Sequence, residues 1–85
     1  MSNTVTQEQI NSIIEKTQFV TETYFNKTTV VLAKLPNGFI IVESSSCVDP
    51  ANYDEKMGFE ICKERIVNKV WELEGFALQS KLSNM

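Results

Sequence analysis

The residues best suited to chemistry are gathered in one short stretch. Residues 43–54 read Glu-Ser-Ser-Ser-Cys-Val-Asp-Pro-Ala-Asn-Tyr-Asp, between an apolar run and a helix start. A helix N-terminus offers free N–H groups and the positive end of a dipole, which suit phosphate or another anion. Ser44 and Ser45 could donate to phosphate oxygens, Asn52 could read a base edge, and Tyr53 could stack on a base or ribose. Arg65 and Lys69, four residues apart on one helix face, could neutralise a ligand phosphate. A plainer use competes with each of these. Ser, Asn and Asp are what any strand-to-helix connection selects, with Asn52 as a cap. Lys63, Arg65 and Lys69, interleaved with Glu60 and Glu64, also make an ordinary solvated helix surface with local ion pairs.

Other chemistry is excluded more firmly. The 85 residues contain no histidine. That removes the usual neutral-pH general base, the commonest zinc ligand and the Ser-His and Cys-His nucleophile pairs. Cys47 follows the serines, but nothing near it in sequence would activate a thiol. Asp49, Asp54 and Glu55 do not have the spacing of a calcium loop, and helix capping explains them better. No catalytic residue, metal ligand or cofactor is therefore expected, and a chain this short cannot hold an enzyme with a separate cofactor domain. Net charge is −3. The eight basic residues are spread along the chain, so no DNA or RNA partner is expected. Two cysteines, Cys47 and Cys62, are too few for a disulfide scaffold and read as reduced. The N-terminal Met-Ser-Asn-Thr-Val-Thr-Gln lacks the basic and apolar regions of a signal peptide, and no stretch approaches the ~20 apolar residues of a membrane span. These features point to a single cytoplasmic domain over residues 1–85.

The elements that must position these residues read as an α+β fold. Thr6 with Gln9 forms a capping box, Val5 with Ile10 a hydrophobic staple, and Ile10, Ile13 and Ile14 an apolar helical stripe. From Thr17 the chain turns β-branched and aromatic, with Phe19, Thr21, Thr23 and Phe25 on one face of a first strand. A turn at Asn26-Lys27 leads to a second strand over 28–35, and Pro36-Asn37-Gly38 is a strong turn signal before a third over 39–44. The third strand, Phe-Ile-Ile-Val, is apolar on both faces, which predicts a central or doubly covered position. Lys34 would blunt a strand edge. Asp49 and Pro50 predict the start of a long helix from about residue 51 to 74. Gly75 would end or bend it, and a short last helix would cover residues 76–82. Phe59, Cys62, Ile66, Val70, Leu73 and Ala77 form its main stripe, widened by Val67, Trp71, Leu78 and Leu82, and Trp71, Phe59 and Phe76 read as core. A three-stranded sheet can cover only one side of such a helix. Either the N-terminal helix covers the rest or a second copy does, and the small size of the domain favours a homodimer or larger assembly.

Residues 38–76 also resemble a widespread family of small tailed-phage proteins, the gene product forty-nine/sixty-six family. The matching features are Gly38-Phe39, Ser45-Ser46-Cys47-Val48, Pro50, Asn52-Tyr53-Asp54, Gly58 and Trp71-Glu72-Leu73-Glu74-Gly75-Phe76. Departures fall before the cysteine: Glu43-Ser44 stand where the family usually shows Gly-Glu, and Ser46 where it shows Ala. The resemblance implies a phage-encoded protein in the cytoplasm of an infected bacterium. The architecture is also similar to that of phage anti-Thoeris proteins, which oligomerise and sequester cyclic-nucleotide-type immune signals. On that analogy the expected function is non-enzymatic counter-defence by sequestering such a signal, at a site of Ser44, Ser45, Asn52, Tyr53, Arg65 and Lys69. The alternative is a protein–protein inhibitor of a bacterial defence or host factor.

Overall fold

A computed structural model describes residues 3–84. The elements run α1 (Gln7–Glu15), β1 (Gln18–Tyr24), β2 (Thr28–Lys34), β3 (Ile40–Ser46), a 3-10 turn (Pro50–Asn52) and α2 (Glu55–Ser83). This is the expected α+β order, except that the short C-terminal helix is the last part of α2. Gly75 has open space around it, so the helix passes through without interruption.

The capping box forms as the sequence requires. Gln9 N–H donates to Thr6 Oγ1 at 3.2 Å, and Thr6 N–H donates to Gln9 Oε1 at 2.8 Å. The strands pair antiparallel in the order β1-β2-β3. Their first turn is centred one residue earlier than expected. Phe25 and Asn26 both take positive φ, 54° and 56°, and Lys27 N–H donates to Tyr24 O. Phe25 therefore leaves the strand face and stands almost wholly exposed at the tip. Asn tolerates this backbone, whereas for Phe it costs about 1 kcal/mol, which is why the sequence hides the turn. The Pro36-Asn37-Gly38 turn forms as expected, with Gly38 at φ 93° and its N–H on Leu35 O.

Three further expectations are corrected. β3 is an edge strand, not a central one, because a meander with two tight turns puts β2 in the middle. The apolar character of Ile40 and Val42 reflects an uncovered face, where both are about half exposed. Lys34, on the central strand, guards no edge. The long helix begins at Glu55 rather than near residue 51. Asp49 caps only the 3-10 turn, through Ala51 N–H at 2.9 Å, and Tyr53 then returns to extended backbone. Asp54 is the true cap, accepting from Lys56 and Met57 N–H.

The core lies between one face of the sheet and α2. Gly58, Cys62, Ile66 and Val70, spaced four apart, face Val31, Ala33 and Ile41, with Ile10 and Leu35 closing the end. Burying Ile66 completely contributes about 2–3 kcal/mol. Ile13, Ile14 and Val5 of the N-terminal segment pack against this cluster, as do Trp71 and Leu73. The N-terminal segment thus packs onto the same core as the main stripe of α2, with Ile13 beside Val70 and Leu73. Phe19 meets Phe59 edge to face, with ring centroids 5.8 Å apart. Phe76, expected in the core, is 73% exposed, because it lies on the side of α2 turned away from both α1 and the sheet stripe.

Candidate functional site

Three of the six expected site residues meet, and three do not. Ser45, Asn52 and Tyr53 line a cavity of about 120 Å³ between the end of β3, the 3-10 turn and the start of α2, together with Thr29, Cys47 and Gly58. Ser44 does not reach it. β3 runs on to Ser46, so strand alternation turns Ser45 inward and Ser44 outward. The expected strand end at residue 44 gives no sign of this alternation. Arg65 and Lys69 do not line the cavity either. Arg65 instead donates through Nη1 to the backbone carbonyl of Ser44 at 2.6 Å, and Lys69 is an exposed residue one helical turn further on. The expected phosphate-binding residues are therefore not gathered at one place.

The cavity is organised by Tyr53. Its hydroxyl lies 2.7 Å from Thr29 Oγ1 and 2.8 Å from Thr23 Oγ1, and Thr23 Oγ1 donates to Glu55 Oε2 at 2.7 Å. Each hydroxyl has one proton. Thr23 spends its proton on the Glu55 carboxylate, so Tyr53 donates to Thr23 and Thr29 donates to Tyr53. The chain of donors runs Thr29 to Tyr53 to Thr23 to Glu55 and satisfies the fully buried Thr29. It fastens the start of α2 to the first two strands. Gly58 makes this possible: a Cβ at that position would fall 2.2 Å from Thr29 Oγ1. Thr23, Thr29 and Gly58 were not legible as parts of a site, since their partner Tyr53 is remote in sequence from both threonines.

Neither thiol is set up as a nucleophile. Burial pushes the Cys62 thiol up from its ordinary value, and the Arg65 charge offsets this only in part. Cys47 is half-buried and its S–H donates to Asp49 O at 3.3 Å. Among the described residues no group of three or more Cys, Asp and Glu side chains could hold a metal ion. No described helix is long and apolar enough to cross a membrane.

The outer face of the sheet is the larger candidate surface. Cross-strand register places Val20, Leu32 and Val42 in one row. Glu22, Val30 and Ser44 form the row on one side, and Gln18, Lys34 and Ile40 the row on the other. Val20 and Val42 are 54% and 57% exposed, and among the described residues no helix lies over them. The both-faces apolar run in β3 was the one sequence signal for this surface.

Compared with known proteins, the chain matches the phage protein (N4 Gp49/phage Sf6 gene 66) family over residues 5–82. No curated protein and no solved structure matches. The match takes in every strand and nearly all of both helices, and the chain belongs to that family.

Proposed function

We propose that this phage-family protein is a non-enzymatic binding protein that works by contact with another protein in the cytoplasm of the infected bacterium. The observation that carries the reading is the bare outer face of the sheet. Val20, Val42 and Ile40 stand about half exposed there, beside Val30 and Leu32. Together with Tyr24 they form an exposed apolar patch, a feature that often marks an interaction site. The lack of histidine and the raised thiol of Cys62 favour binding over catalysis. Membership of a phage family makes a bacterial defence or host factor a natural target. The test is a photo-crosslinking residue at position 42 of the full chain, expressed during infection. Adducts with protein are expected at 42 and not at Glu8, on α1. No protein adduct at 42 would overturn the reading.

Sequestration of a cyclic-nucleotide signal is the second reading. It is favoured by the convergence of Ser45, Asn52 and Tyr53 on one cavity. A volume of about 120 Å³ is small beside the ~300 Å³ at which ligand pockets begin. The reading therefore needs a site completed by a second copy. Calorimetry against cyclic di- and trinucleotides and cyclic ADP-ribose isomers tests it, and no heat with any of them would end it.

A further inference from the structure

We infer that the outer sheet face is covered by a second copy of this chain, packed about a twofold axis lying along the Val20–Leu32–Val42 row and across the strands. The inference rests on the protein-docking reading and names its partner. The first support is surface area. The chain exposes 6070 Å², against about 5,100 Å² for a compact monomer of 9.7 kDa. The excess fits its long shape, 54 × 20 × 19 Å, and the side of the sheet that no element covers. Face-to-face packing of two such sheets makes a six-stranded sandwich about 10 Å between layers.

The second support is the order of charges on the face. One step from the central row stands Glu22, and one step the other way stands Lys34. A twofold axis across the strands lays the Glu22 row of each copy on the Lys34 row of the other: Glu22 falls over Gln18 and Lys34 over Val30, so each Glu22 stands one strand diagonal to the other copy's Lys34, about a centre of Val and Leu. An axis along the strands would instead lay Lys34 on its own symmetry mate, which like-charge repulsion disfavours. The face is thus complementary to itself in one arrangement and not in the other. Such a dimer leaves the outward surface of α2, including Met57, Ile61 and Asn68, uncovered on both copies.

Sedimentation of the full chain over a micromolar concentration series tests the inference. The expected result is a species of twice 9.7 kDa. Val42→Glu, at an exposed position that should keep its circular dichroism, should weaken association about 100-fold or more. Glu22→Lys should weaken it about tenfold, and Glu22→Lys combined with Lys34→Glu should restore it. A wild-type chain monomeric throughout overturns the inference, as does a dimer that Val42→Glu leaves intact. A dimer that the double charge exchange fails to restore overturns the proposed axis. Adducts at position 42 that contain only a host protein also overturn it, while leaving the docking reading in place.

Discussion

The inner face of the sheet presents Thr29, Val31, Ala33 and Ile41 to α2, and all four are buried. The outer face presents Val20, Leu32, Val42 and Ile40, side chains at least as apolar, and no other described element packs over it. Composition does not separate the two. What separates them is access. On the inner side Gly58 lets the helix backbone come down onto Thr29, and Tyr53 ties the helix start to the strands through hydroxyls. On the outer side no element of the chain returns across the sheet. A small domain seals a sheet with the helix it has, and the face left over is where contact with other molecules is to be sought.

Neighbouring residues on β3 give the largest contrast. Ile41→Ala should cost about 2–4 kcal/mol of unfolding free energy, as a buried truncation does. Val42→Ala, one residue on and facing out, should cost less than about 0.5 kcal/mol in dilute monomer. Denaturant titration of both checks this, and equal losses would mean that the outer face is covered whenever the chain is folded. Next come two glycines of α2. Gly58→Ala should destabilise by about 1–3 kcal/mol, because its Cβ meets the Thr29 side chain. Gly75→Ala, in open space, should stabilise by about 1 kcal/mol. Thermal unfolding should show shifts of opposite sign.

The sequence revealed these features unevenly. Thr6 with Gln9 and Pro36-Asn37-Gly38 were legible because each acts on its nearest neighbours. The start of α2 was displaced because Asp49 and Asp54 are both good caps, and only the extended backbone at Tyr53 decides between them. Ser44 and Ser45 looked alike until the strand was seen to reach Ser46, which sends them to opposite faces. Ser45, Asn52 and Tyr53 line one cavity. Arg65 left it because its partner, a backbone carbonyl, has no signature in sequence.

Smaller effects sharpen the picture of the inner side. Tyr53→Phe should cost about 1–2 kcal/mol, since it removes the hydroxyl that Thr29 uses. A matching loss in Thr29→Val, with no further loss in the double variant, would locate the effect in that bond. The mildest effect concerns Cys62. Its thiol is raised in the folded chain, so its contribution to stability is present below the unfolded-state value near 9.0 and is lost as pH rises beyond it. Stability should decline slightly above that pH, and less so in Cys62→Ala. At neutral pH a thiol reagent should modify Cys47 in the folded protein and reach Cys62 only on unfolding.

The bond from Arg65 to the Ser44 carbonyl has a consequence for how large an assembly can become. β3 ends the sheet, and a bare strand edge invites the next molecule to add a strand, then another, in an open-ended ribbon. A guanidinium reaching over from the helix occupies one of the carbonyls that such an addition would use. Growth past β3 is discouraged at that carbonyl, whereas in the proposed dimer a twofold partner would cover the outer face once and halt. If the chain pairs as proposed, Arg65 closes one route to a fibre while leaving the face open to a single partner.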